Sequence, residues 1–284
     1  MIDLWRGSLV VAVAFLGAAV ATASVLWWAG LLPSLALSEN AGEYCNVLKV
    51  PVYGTIVTIR PASSFAQAPS EDDPGLFPAP DTAFSISTEI EEMLRSARAD
   101  PSIKALLVDV ESGGGVAVAG TEIASAIRRF GKPSAAVIHD VGASAGYLAA
   151  AAADVVFASE NSAVGSIGVS SSYTDISEKN RREGVTFHQL SSAPYKDTYN
   201  PDKPLTDAER ALIMRDVNVS HDNFVRAVAL YRGMPVESVA AFADGSTLPG
   251  QAALDAGLID EIGGTEEALG YLEQAIGEPP AVCR

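Results

Sequence analysis

The residue with the clearest case for nucleophilic chemistry is Ser144, in His139-Asp140-Val141-Gly142-Ala143-Ser144-Ala145-Gly146-Tyr147, where a predicted strand gives way to a predicted helix. Small neighbours let a substrate carbonyl approach a serine Oγ, and N–H groups at a helix start favour an oxyanion. The same position also suits an ordinary helix N-cap, whose hydroxyl would bind the amides of its own first turn. Upstream, Val110-Glu111-Ser112-Gly113-Gly114-Gly115 sets three glycines directly after a buried-strand pattern. Such a loop can turn its N–H groups outward with no side chain in the way. It reads as a source of oxyanion donors, as a turn that needs positive φ, or as a phosphate loop, although neither glycine-rich phosphate fingerprint is present.

A serine nucleophile needs a base, and the chain has three histidines. His139 ends a strand, His188 lies in the strand-like Thr186-Phe187-His188-Gln189-Leu190, and His221 lies on a long helix, so each suits structure better than proton transfer. Lys196, in Ala193-Pro194-Tyr195-Lys196-Asp197, occupies a polar loop between a strand-like segment and that helix. A lysine titrating near 10.4 acts as a base only if burial lowers it to about 7 or 8, a differential of roughly 4 kcal/mol. Unburied, it is a solvated loop lysine.

These residues have to be positioned by regular elements, and the pattern supplies an alternation of the two kinds. Strands are predicted over 47–60, 103–110, 135–139 and 155–158. Helices are predicted over 88–98, with Thr88-x-x-Glu91 as a capping box, and over 122–130 and 145–153. This alternation implies an α/β fold with a parallel sheet and helices on its faces. In such folds ligands gather where strands end and helices begin, which is where both glycine-rich loops fall. A helical C-terminal extension follows: 206–232, opened by the capping box Thr206-x-x-Glu209, then 236–242, 251–256 and 266–276.

The 284 residues divide into a short N-terminus (1–7), an apolar segment (8–32), a tether (33–46), one domain (47–276) and a tail (277–284). Within the domain, residues 61–80 carry five prolines and read as a loop. The segment 8–32 contains no charged residue, which is long enough for a transmembrane helix. Arg6 before it and Glu39 and Glu43 after it favour a cytoplasmic N-terminus, with Trp27 and Trp28 at the far interface. The alternative is a signal peptide cut near Ala21-Thr22-Ala23. A formal charge of −16 and the absence of any basic stripe exclude a nucleic-acid partner. No Cys/His spacing calls for a metal, and no cofactor is implied. Cys45 and Cys283 are either two free thiols or a bridge between the ends of the domain.

Four segments, in order, resemble the signal peptide peptidase A family of Ser/Lys peptidases, within the crotonase-like superfamily that includes the Clp peptidase. Val110-Glu111-Ser112-Gly113-Gly114-Gly115 resembles its strand-then-SPGG loop, with Gly113 in place of proline. Ala143-Ser144-Ala145-Gly146-Tyr147 is similar to its ASGGY segment, with Ala145 for glycine. Gly165-Ser166-Ile167-Gly168 is similar to its GSIG turn, and Ala193-Pro194-Tyr195-Lys196-Asp197 to its G-x-x-K-D segment, with Ala193 for glycine. The likeness runs over about 47–265 and includes Arg232-Gly233-Met234 and the stretch from Ala243 to Gly263.

The resemblance implies a crotonase/Clp-like fold and a serine endopeptidase with Ser144 as nucleophile and Lys196 as base. Ser166 would orient the lysine amine, and the oxyanion donors would be the amides of Gly114, Gly115 and Ala145. It further implies a homo-oligomer anchored in the cell membrane as a single-pass protein, touching lipid through its N-terminal helix. The peptidase domain would be extracytoplasmic, and the substrates cleaved signal peptides or other extended peptides. The chain also resembles phage capsid maturation proteases of the same superfamily, against which the apolar N-terminal segment argues; a non-proteolytic scaffold on the same fold is argued against by the intact Ser144 and Lys196, and a membrane protease dedicated to one partner is a further alternative.

Overall fold

The computed structural model describes residues 45–60 and 84–283. The predicted membrane span, most of the tether and the proline-rich loop lie outside the described residues. The apolar run after Lys104 becomes β3 (Ala105–Gly115), buried from Ala105 to Val110, as a strand with helices on both faces must be. To one side lies β1 (Val47–Val57), and to the other β4 (Ser134–Ala143). Beyond β1 comes β2 (Phe84–Ile86); beyond β4 come β5 (Val155–Ala158) and β8 (Glu261–Ile262), giving the order β2-β1-β3-β4-β5-β8. All of these pairings are parallel.

Strand β4 has two partners in succession. Its first half pairs with β5, and Val141–Ala143 then pairs with β6 (Ala163–Gly165), which carries the antiparallel β7 (Thr247–Pro249). The sheet therefore parts just before Ser144.

Helices α1 (Ser87–Ala99), α2 (Ala117–Phe130) and α3 (Ala145–Ala151) cover one face. Their apolar sides meet Val50, Val52, Ile56, Val108 and Val110 in the larger core. The short α4 (Ser177–Arg182) buries nothing, whereas α5 (Asp207–Arg232) adds Phe224, Val225, Val228 and Ala229 to that core. After α6 (Val236–Ala240) and α7 (Gly250–Asp255), α8 (Thr265–Ile276) crosses to the other face. There Ala268 and Leu272 pack on Val47, Leu107, Val137 and Phe157.

Several expectations need correction. Thr88 forms no capping box: α1 starts one residue earlier, and the Thr88 hydroxyl donates to the Thr58 carbonyl instead. The box at Thr206 and Glu209 is formed. Helix α2 begins at Ala117 rather than 122, running through Gly120, where a Cβ would stand 2.7 Å from the Cβ of Ala145. That glycine permits α2 and α3 to approach closely and does not break the helix. Thr186–Leu190 is not a strand, since no neighbouring strand pairs with it among the described residues.

The stretch 277–284 is not a free tail. It contributes β9 (Val282–Cys283), parallel to the start of β1, and Cys283 is disulfide-bonded to Cys45. The buried Asn46 side chain fastens the same corner, donating to Glu278 and the Pro279 carbonyl and accepting from the Ala281 amide.

Candidate active site

Ser144 follows the last residue of β4 and precedes the first of α3, and its backbone carries the reversal of direction. Its φ of 52° and ψ of −122° lie where an L-residue with a side chain is strained, at a cost of order 1–3 kcal/mol. Two main-chain bonds hold it there: Ser144 N–H donates to the Gly165 carbonyl of β6 at 2.7 Å, and Leu148 N–H donates to the Ser144 carbonyl at 2.9 Å. The hydroxyl caps nothing, and has no hydrogen-bond partner among the described residues. The Ser144 hydroxyl therefore does not act as a helix cap.

The neighbouring small residues are sterically required. A Cβ on Gly142 would meet Ile138 Cδ1 at 2.8 Å, and one on Gly146 would meet the Ser112 carbonyl at 2.8 Å. Glycine two residues before and two after a serine, between a strand and a helix, is the pattern of a nucleophile elbow. This was the signal available in Gly142-x-Ser144-x-Gly146 beyond the general smallness of the segment.

Beside it lies the triple-glycine loop. Gly114, at φ 106°, backs onto Ser144 so closely that a Cβ there would stand 2.7 Å from the Ser144 Cβ and 3.1 Å from the Ala145 nitrogen. The two glycines offered as donors are not equivalent. Gly114 N–H is already bonded to Ser112 Oγ at 3.1 Å. Val116 N–H donates to the Ile56 carbonyl at 2.8 Å, and Ile56 is in register with Gly115. In a parallel ladder, the residue in register between two bonded neighbours turns its own N–H away from the partner strand. Gly115 N–H consequently faces away from β1, on the side of Ser144. Ala145 opens α3, so its amide has no intrahelical acceptor.

A groove of about 800 Å³ runs from Ser144 between the outer side of α2 and the middle of α5. Near Ser144 its walls are apolar, with Val116, Val118, Leu148 and Phe224. At the far end Arg129 pairs with Glu91 at 2.9 Å.

Of the other predicted residues, Ser166 lies on the turn after β6 at φ 50°, its Oγ donating to the Gly245 carbonyl at 2.9 Å and its N–H to the Ser246 carbonyl at 2.9 Å. Lys196 is exposed in a turn, its Nζ has no partner among the described residues, and it does not line the groove. Within one chain, then, Ser144 and the glycine loop are brought together, whereas Lys196 makes no hydrogen bond to Ser144 or Ser166.

His139 is committed elsewhere: its Nε2 lies 2.5 Å from Asp109 Oδ1. Asp109 is 1% exposed and also accepts from Lys49 and the Tyr53 hydroxyl. Burial opposes its ionisation, but these three hydrogen bonds prevail and hold its carboxyl below the usual range. His188 is exposed, and His221 Nε2 lies 2.9 Å from the Ala243 carbonyl. No group of three or more His, Cys, Asp or Glu side chains among the described residues is arranged to hold a metal ion.

Residues 126–277 match the family model described as peptidase family S49, a span that takes in Ser144, Ser166 and Lys196. The chain belongs to peptidase family S49. It is 32% identical over 184 residues to a putative protease of Methanocaldococcus jannaschii, covering 64% of this chain and 59% of that protein. It is 33% identical over 184 residues to a putative signal peptide peptidase of Enterococcus faecium, covering 64% and 54%. At 29% identity over 185 residues it also matches the capsid assembly protease C of Escherichia phage lambda, covering 64% and 42%. The chain thus spans between two fifths and three fifths of the length of these relatives. Among solved structures, a ClpP1 mutant from Listeria monocytogenes aligns over 78% of this chain and 93% of its own, with a TM-score of 0.47 and 15% identity.

Proposed function

We propose that the protein is a membrane-anchored serine endopeptidase of the signal peptide peptidase A type, with Ser144 as nucleophile and Lys196 as general base. The observation that carries the reading is the strained, uncapped Ser144 at the head of an apolar groove, with Gly115 and Ala145 amides beside it. Lys196 Nζ takes the Ser144 Oγ proton as Oγ bonds to the substrate carbonyl carbon. The resulting oxyanion is held by Gly115 and Ala145 N–H, not by Gly114, whose amide is occupied. The C–N bond then breaks, the leaving amine takes the proton from Lys196, and water hydrolyses the acyl-enzyme ester by the same route.

Lys196 reaches its role only if removed from water, so the reading requires the segment from about 170 to 205 to be covered. The absence of any buried residue in that segment supports this, as does the display of Leu190 at 96% exposure together with Tyr195 and Tyr199. In the assembly we propose, a second copy of the chain covers it and Ser166 orients the amine. The apolar wall of the groove suits extended peptides with apolar side chains, such as remnant signal peptides. Anchoring rests on the uncharged stretch 8–32, which would place the domain outside the cytoplasm. Among the described residues no helix is long and apolar enough to cross a membrane.

The test is hydrolysis of a fluorogenic apolar peptide by folded full-length Ser144→Ala, Lys196→Ala and His139→Ala. We expect the first two to be inactive and the third to retain activity. A fully active Lys196→Ala, or loss confined to His139→Ala, would refute the assignment of the base.

A further inference from the structure

Strands β1 and β3 lose register near the site: Tyr53 pairs with Glu111, but Thr55 next pairs with Gly114, so two residues of β1 are matched by three of β3. The β3–β4 pairing slips at the same place, between Val110 and Ser112. A bulge of this kind leaves backbone groups without ladder partners, and buried ones must be satisfied in another way. Here one side chain meets both needs. Ser112 is 1% exposed; its Oγ donates to the Gly54 carbonyl at 2.6 Å and accepts from Gly114 N–H at 3.1 Å. Gly54 itself stands at φ 62°, the kink of β1.

We infer that Ser112 is a positioning residue for catalysis: its hydroxyl rivets the bulge and thereby fixes the Gly114–Gly115 peptide, so that the Gly115 amide faces the oxyanion. This rests on the peptidase reading and extends it to a residue that touches neither substrate nor reacting atoms. Three constraints converge on the group. The Gly114 amide is engaged and cannot compete for the oxyanion. Gly114 lies against Ser144 with no room for a Cβ, so any drift of the loop is felt at the nucleophile. Ser112 also packs under α3, where a Cβ on Gly146 would lie 3.0 Å from the Ser112 Cβ. One hydroxyl thus sets the distance between the donor loop and the helix that carries the second donor.

Removing the hydroxyl leaves the fold's apolar packing in place but frees the loop. The loss should be felt in the transition state, where the oxyanion forms, more than in substrate binding, which is made along the groove. In full-length Ser112→Ala, kcat per active site, titrated with a fluorophosphonate, is expected to fall about 10- to 100-fold, below the effect of deleting a donor outright. KM for a fluorogenic apolar peptide should stay within about twofold, and the inhibition constant of the matching peptidyl boronate should rise in parallel with the loss in kcat/KM. Should Ser112→Ala be recovered unfolded, Ser112→Cys, which keeps the volume but replaces the hydroxyl with a weak donor and acceptor, is read by the same criteria. An unchanged kcat per titrated site, or a loss carried wholly by KM, would overturn the role of Ser112 while leaving the peptidase intact. A wild-type protein that neither hydrolyses the peptide nor reacts at Ser144 would instead overturn the peptidase reading, and this role with it.

Discussion

Replacing Ser144 by glycine should make the protein more stable as it makes it inactive. At φ 52° and ψ −122° the residue occupies the mirror image of an ordinary extended conformation, open to glycine and costly for any residue with a Cβ. Relief of that strain is worth about 1–3 kcal/mol. Against it stands the greater freedom glycine gives the unfolded chain, about 0.5–1 kcal/mol. The hydroxyl has no partner among the described residues to lose. The balance is a gain of about 1 kcal/mol, or roughly 2–4 °C in Tm for a domain of this size. Ser144→Ala keeps the Cβ and hence the strain, so it is the proper reference: equally inactive, but not stabilised. Thermal and urea unfolding of the two variants side by side measure the difference. If Ser144→Gly proved no more stable than Ser144→Ala, the idea that strain is stored at Ser144 would be refuted.

Two further perturbations test the frame around the site. The Cys45–Cys283 bond closes a loop with a sequence separation of 238, for which chain entropy gives an upper figure of roughly 5 kcal/mol. Cys283→Ser should cost about 2–4 kcal/mol, seen as a drop in Tm that dithiothreitol reproduces in the wild type and not in the variant. The Glu209 carboxyl, bonded by Lys203 at 2.5 Å and by the Thr206 amide and hydroxyl, is held down to about 2. A depressed carboxyl stabilises the folded chain above its unfolded value near 4.5 and loses that contribution as pH falls toward 2. The stability gap between wild type and Glu209→Gln in urea titrations should therefore be full at pH 6 and close between about 4.5 and 2; a gap independent of pH would contradict it.

The sequence disclosed much of this arrangement because the signals were local. Apolar runs bounded by glycine and proline specify β3 and β4, and Thr206 with Glu209 specifies the start of α5. Ser144 was legible from its small neighbours, although its positive φ, which separates nucleophile from N-cap, depends on β6 fixing the Ser144 amide. What escaped was set by distant partners. The disulfide and β9 join residues far apart in the chain, and the Thr88 cap is displaced by a bond to the Thr58 carbonyl just past the end of β1. Ser112 has no local signal, because the backbone groups it serves are defined by the register slips of β3 against β1 and β4. Lys196 has no local signature, because a lysine's basicity is decided by what buries it.

The bond between Cys45 and Cys283 also changes what a break in the chain means. With those residues joined, the polypeptide from 45 to 283 is topologically a ring, and the exposed stretch that carries Lys196 is one arc of it. A single nick in that arc opens the ring without releasing a fragment, so the two pieces would part only on reduction. A cut on the N-terminal side of Lys196 would therefore leave the size of the oxidised protein unchanged, while Lys196 would be joined to Ser144 only the long way round, through the Cys45–Cys283 bond.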